Sequence, residues 1–218
     1  MFKQDVIARI LRTGVIAIVR LDSAESLQKV ADAILEGGVD IIEFTMTTPG
    51  ALDILESATA KFGDRVILGA GTVLDPESAR AAVLAGARFV VSPNLNPQTV
   101  ELCHRYGVVA VPGVLTPTEI VAAMETGADL IKVFPASLGG PEYIKAVRAP
   151  LPQAPLVPTG GVEVENAGDY IKAGAVAVAV GGSLVNKKWV AAGEFAKMTE
   201  AARRLADAVH SARSGVQG

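Results

Sequence analysis

Residues 127–135 read Gly-Ala-Asp-Leu-Ile-Lys-Val-Phe-Pro. From Leu130 to Phe134 the run is apolar and partly β-branched apart from one lysine, the pattern of a short parallel strand buried on both faces. The Gly-Ala-Asp ahead of it recurs. Gly38-Val39-Asp40, Gly86-Ala87-Arg88 and Gly174-Ala175-Val176 each precede another such run, at glycine steps of 48, 41 and 47 residues. Each glycine is placed to end a helix in a left-handed cap. The repeat therefore divides the chain into four β-α-β-α quarters.

Strands are expected at 15–20, 40–46, 66–72, 89–93, 108–114, 130–136, 156–161 and 176–182, which makes eight. Helical stretches such as Ser23–Gly37 and Pro76–Ala87 lie between them, several opening on a cap or an early proline and closing on glycine. A solenoid can show such a period, and a doubly wound open sheet shares the alternation. Strict alternation over about this length favours a closed barrel, because closure removes both sheet edges. The expected fold is a single (β/α)8 TIM barrel over residues 1–218, with an extra helix at 2–12. A long helix is expected at about 190–212, with residues 211–218, Ser-Ala-Arg-Ser-Gly-Val-Gln-Gly, forming a frayed tail.

The 218 residues are half apolar, enough for one sizeable core, and the net charge of −3 offers no electrostatic footprint for nucleic acid or anionic membrane. No run reaches the roughly 18–20 apolar residues of a membrane span, and the N-terminus lacks the pattern of a signal peptide. The single cysteine, Cys103, cannot form an internal disulfide, which fits a cytoplasmic setting. Neither histidine, His104 or His210, has a partner at metal-ligand spacing. No inward acidic cluster, GxGxxG fingerprint or GxxxxGK[ST] loop is present, so neither metal nor cofactor is expected.

Barrel chemistry gathers at the C-terminal ends of strands. Period two puts Leu130, Lys132 and Phe134 on one face of the sixth expected strand. Lys132 there is half of a buried ion pair, a side chain reaching for the mouth, or a nucleophile whose amine burial keeps neutral. Ile41, Glu43 and Thr45 share a face of the second strand. Glu43 can neutralise Lys132, shuttle a proton, or do both. Arg20 ends the first strand, where it can fork onto a carboxylate or phosphate or make a rim salt bridge. Thr159-Gly160-Gly161 and Gly181-Gly182-Ser183 close the seventh and eighth strands, where such barrels usually bind phosphate. Gly69-Ala70-Gly71-Thr72 ends the third strand with small residues that leave room for substrate or for close packing. Ser92-Pro93-Asn94 and Val111-Pro112-Gly113 serve equally well as rigid turns.

Read in order, VIAIVR (15–20), GGVDIIE (37–43), GAGTV (69–73), VSPN (91–94), PGVLTPTE (112–119), IKVFPAS (131–137), GPEYIKA (140–146), PTGGV (158–162) and VGGSLV (180–185) span nearly the whole chain. Together they resemble the 2-keto-3-deoxy-6-phosphogluconate (KDPG) / 4-hydroxy-2-oxoglutarate (KHG) aldolase family. The resemblance implies a metal-independent class I aldolase that cleaves KDPG to pyruvate and glyceraldehyde 3-phosphate, with a phosphorylated 2-keto acid as its small-molecule partner and a homotrimeric assembly. It carries the Schiff base to Lys132 and acid/base work to Glu43. Arg20, Thr72, Pro93, Phe134 and Thr159 match positions lining the keto-acid pocket, and Gly160, Gly161, Gly182 and Ser183 match the phosphate end. Many members have an arginine in a Glu-x-Thr-x-Arg pattern where this chain has Thr47. That departure leaves the galactonate epimer and unphosphorylated 4-hydroxy-2-oxoglutarate as alternative substrates. Rivals from other classes are a phosphosugar isomerase or epimerase and a non-catalytic phosphate-ligand binding barrel. Neither needs an imine-forming lysine.

Overall fold

The computed structural model describes residues 1–20 and 26–215. The start of the second expected helix, 23–25, and the last three tail residues lie outside them. Nine strands form in the described chain: β1 (Val15–Val19), β2 (Ile41–Thr45), β3 (Ile67–Gly71), β4 (Phe89–Val91), β5 (Val109–Val111), β6 (Gly113–Val114), β7 (Ile131–Val133), β8 (Leu156–Pro158) and β9 (Val178–Val180). All their pairings are parallel. Six pair in the order β5-β4-β3-β2-β1-β9, and three in the order β6-β7-β8. An isolated parallel bridge, Thr159 to Ala179, joins the two groups on one side.

The fifth expected strand is present as two pieces, β5 and β6, each in a different group. Pro112 separates them. It has no N–H to donate to a ladder, but its carbonyl still accepts the Lys132 N–H at 2.9 Å. The other strands fall inside their expected ranges, shortened at one or both ends.

The helices are α1 (Lys3–Thr13), α2 (Leu27–Glu36), α3 (Ala51–Phe62), α4 (Pro76–Leu84), α5 (Pro97–Arg105), α6 (Pro117–Glu125), α7 (Gly140–Arg148), α8 (Ala167–Lys172), α9 (Lys187–Ala192) and α10 (Phe195–Ser214). Local sequence sets their ends. The Thr116 hydroxyl accepts the Glu119 N–H, and the Glu119 carboxylate accepts the Thr116 N–H at 2.8 Å, so α6 starts on a reciprocal box with Pro117 as its first residue. The four repeat glycines, Gly38, Gly86, Gly127 and Gly174, have φ of 90°, 104°, 82° and 102°. The residue after each donates its N–H five residues back, as in Ala87 to Ala82 at 3.0 Å and Ala128 to Ala123 at 3.1 Å. This is a Schellman closure, repeated once per quarter.

Side chains from the strands divide into two cores. One inward cluster holds Ile16, Ile41, Ile67, Phe89, Val109, Leu130, Val157 and Ala177, joined by Val6 and Ile10 of α1. Ile10 is fully buried; burying such a side chain stabilises the fold by ~1.5–3 kcal/mol. The alternate residues, such as Val15, Ala17, Ile42 and Leu68, pack outward against the helices.

The end of the chain differs from expectation. The expected long helix is two, broken at Gly193 with φ 69°. Residues 211–214 are not frayed but form the last turn of α10, with Ala212 buried. The Arg213 guanidinium donates to the Arg12 and Val176 carbonyls at 2.7 and 2.8 Å, and these bonds hold that turn in place. Among the described residues no helix is long and apolar enough to cross a membrane.

Candidate active site

The inward positions of the strands alternate predictably up to their C-terminal ends, and there the side chains change from apolar to polar. Above Ile41 comes Glu43; above Leu130 comes Lys132; above Val157 comes Thr159. These three are buried, with Glu43 only 2% and Lys132 6% exposed. They open onto a cavity of about 770 Å³. Arg20, Thr72, Pro93 and Phe134 line the same cavity, and so do Gly160, Gly161, Gly182 and Ser183. The eleven residues expected to act on or bind the substrate thus all line one space.

Lys132 and Glu43 are held by burial in opposition to their usual charges. Burial lowers the Lys132 ammonium from its ordinary value; Glu43 pulls it back up and Arg20 lowers it further. Burial raises the Glu43 carboxyl, while Lys132 and Arg20 pull it down. In both, desolvation outweighs the attraction between them. The Lys132 Nζ also sits 4.8 Å from the centroid of the Phe134 ring. Among the described residues three buried side-chain polar atoms have no hydrogen-bond partner, and two of them, Glu43 Oε2 and Ser183 Oγ, belong to residues of this cavity. Buried orphans of this kind are uncommon.

The two glycine loops are built differently. Gly160 and Gly161 have φ of 82° and 83°, and a Cβ on Gly161 would lie 2.5 Å from that of Ser137. The chain itself requires both glycines. A Cβ on Gly182 would meet nothing within 4 Å, so neither packing nor a left-handed φ demands glycine there. Thr72 is the one non-glycine residue among those described with a positive φ, at 60°, a costly conformation for a β-branched side chain.

Some expectations change. The room left by Gly69 and Gly71 is filled by the protein: a Cβ on Gly69 would lie 2.4 Å from the Phe89 ring, and one on Gly71 would collide with Glu43. Thr47 is exposed and outside the cavity lining; its hydroxyl donates to Thr45 at 3.3 Å. Ser92 is a turn residue whose hydroxyl donates to the Asn94 carbonyl at 2.6 Å. Sequence reasoning missed Glu163, Asn186 and Lys188, which also line the cavity. Their only signal was their place, shortly after each Gly-Gly pair. Among the described residues no group of three or more His, Cys, Asp or Glu gathers at metal-binding spacing.

Comparison with known proteins agrees with this geometry. The KDPG and KHG aldolase family profile matches residues 6–201. The 2-dehydro-3-deoxy-phosphogluconate aldolase of Treponema pallidum is 38% identical over 189 residues, 86% of this chain and 90% of that protein. The 2-dehydro-3-deoxy-6-phosphogalactonate aldolase of Escherichia coli K12 is 34% identical over 203 residues, 93% of this chain and 96% of that protein. A crystal structure of the KDPG aldolase from Legionella pneumophila, with pyruvate captured at low pH as a covalent carbinolamine, superposes with a TM-score of 0.85 at 28% identity, covering 91% of this chain and 97% of that one. The chain is a member of the KDPG and KHG aldolase family.

Proposed function

We propose that this chain is a class I aldolase that cleaves KDPG to pyruvate and glyceraldehyde 3-phosphate, with Lys132 as the imine-forming nucleophile. One observation carries the reading: a lysine and a carboxyl group, both buried and both shifted toward their neutral forms, share one cavity with Arg20. Family membership and the likeness to the Legionella pneumophila carbinolamine structure support it.

The neutral Lys132 amine adds to the C2 carbonyl. The neutral Glu43 carboxyl gives up its proton, directly or through a water, to the departing hydroxyl, so loss of water leaves a protonated imine and a Glu43 carboxylate. The Glu43 carboxylate takes the C4 hydroxyl proton as the C3–C4 bond breaks. The aldehyde leaves, and the bonding electrons pass into an enamine. The protonated Glu43 returns its proton to C3, and water then releases pyruvate from Lys132. Arg20 and Thr72 fix the keto-acid carboxylate, which brings C2 to the amine. Pro93, Phe134 and Thr159 shape the pocket around the reacting carbons. Gly160, Gly161, Gly182 and Ser183 take the phosphate through backbone N–H groups and the serine hydroxyl. Binding energy at that remote end aligns C4 with Glu43.

The two strand groups act as one closed (β/α)8 barrel, with β5 and β6 as a single strand interrupted at Pro112 and α1 as an extra helix beneath it. A homotrimeric, cytoplasmic enzyme without cofactor fits the family. Sedimentation tests the trimer. A second reading, cleavage of the galactonate epimer, is supported by the likeness to the Escherichia coli 2-dehydro-3-deoxy-6-phosphogalactonate aldolase.

Borohydride added with pyruvate tests the chemistry. A stable mass increase on Lys132 is expected, and an adduct elsewhere, or none, refutes the assignment. Turnover of the gluconate- and galactonate-derived phosphates, with lactate dehydrogenase reporting pyruvate, decides the substrate.

A further inference from the structure

Glu43 has to reach the reacting carbons from deep in the wall, and something must hold its carboxyl group in place. No side-chain hydrogen bond does so at Oε2. The β2–β3 ladder pairs Glu43 with Gly69 and Thr45 with Gly71, so Gly71 stands diagonally above the glutamate on the neighbouring strand. A Cβ built on Gly71 would fall 1.7 Å from Glu43 Oε1, 2.4 Å from its Cδ and 2.7 Å from its Cγ. The end of the glutamate occupies the volume that any other residue at 71 would fill. Gly71 is not among the glycines with positive φ, so its backbone conformation is open to alanine. Only space demands glycine there.

We propose that Gly71 is the positioning residue of the Glu43 carboxyl group, its missing side chain forming the slot in which that group is seated. The statement rests on the reading of Glu43 as the proton carrier. Gly69 is the contrasting case on the same strand, since its space goes to the Phe89 ring in the apolar core.

Gly71→Ala displaces the free end of a side chain and leaves the backbone where it is. The variant is expected to fold and to retain borohydride-trapped pyruvate on Lys132 within a few-fold of the parent. Exchange of the pyruvate C3 protons with D2O should fall by about 10²-fold or more, the usual contribution of a positioned acid/base group. If the parent itself shows no exchange, the role of Glu43 is wrong and the seating is judged on stability alone. If the parent exchanges and folded Gly71→Ala does so within about threefold, Gly71 does not position the carboxyl group. Equal loss of trapping and exchange makes Gly71 merely structural.

A stability cycle tests the seating without reference to chemistry. Gly71→Ala should lower the melting temperature by a few degrees, as overpacking does. In a Glu43→Ala background the same substitution should cost nothing measurable, because the colliding group is gone. If the double variant loses as much stability as Gly71→Ala alone, or does not fold while Glu43→Ala does, the collision is with something else and the proposal falls.

Discussion

The Lys132 ammonium nitrogen lies 4.8 Å from the centroid of the Phe134 ring, two residues along on the same inward face. An aromatic face favours a cation, here at a site where burial disfavours one. The ring is therefore placed to stabilise both the ammonium and the proposed protonated imine. Phe134→Leu keeps an apolar filler and removes the quadrupole. The yield of pyruvate adduct at limiting pyruvate should fall by about two- to tenfold, corresponding to ~0.4–1.4 kcal/mol. Trapping yield against pyruvate concentration measures this; an unchanged curve refutes it.

Glu43 makes the fold sensitive to pH in a definite direction. Its carboxyl titrates above the ordinary value because burial disfavours the anion. Its contribution to stability is thus fully present below the unfolded value of 4.5 and lost as pH rises through the folded value. Glu43→Gln is never ionised and escapes that loss. The variant should melt at a higher temperature than the parent at pH 8, with the gap narrowing towards pH 4, while turnover is lost. A gap that widens as pH falls contradicts the assignment.

Gly182 is free of internal constraint, since a Cβ there meets no protein atom within 4 Å. Gly182→Ala should therefore leave the melting temperature unchanged. It should raise KM for a phosphorylated keto acid by about tenfold, or ~1.4 kcal/mol, and disturb pyruvate trapping much less. A fall in stability with no change in KM reverses the interpretation.

Thr72 holds φ at 60°, which costs about 1–3 kcal/mol for a residue of its shape. Thr72→Gly releases that strain against the greater entropy of glycine in the unfolded chain. Stability should hold or rise slightly while KM for the keto acid increases through loss of the hydroxyl. Thermal melting and steady-state kinetics on one preparation separate the two effects. A clear loss of stability would show that the threonine packs better than its backbone suggests.

Much of this architecture could be read from residue order. The repeated glycine followed by alanine or valine locates four helix ends, and the same four glycines adopt left-handed conformations. Alternation placed Lys132 and Glu43 inward, because the side-chain period of a strand is fixed by its geometry. The split at Pro112 was less visible. A proline at the end of an apolar run shows a missing donor but not which neighbour loses a bond. The last turn of α10 looked like a tail because its polar residues suggest solvent. Its order comes from Arg213 bonding to carbonyls far away in sequence, which local composition cannot register. Glu163, Asn186 and Lys188 went unnoticed because charged and amide residues in loops are common, and only folding shows which of them face a cavity. Gly71 suits a ligand or close packing equally well in the sequence, which reveals smallness without showing what fills the gap.

Glu43 and Gly71 are 28 positions apart in the sequence, yet across the β2–β3 ladder they form one heritable unit. With Glu43 as the proposed acid/base group, a change at either site is judged in the presence of the other, so a larger residue at 71 is disfavoured while the glutamate is in use. Among chains descended from the same ancestor, a bulky residue at the counterpart of Gly71 would mark a lineage whose acid/base group has been lost or relocated, even where the lysine persists.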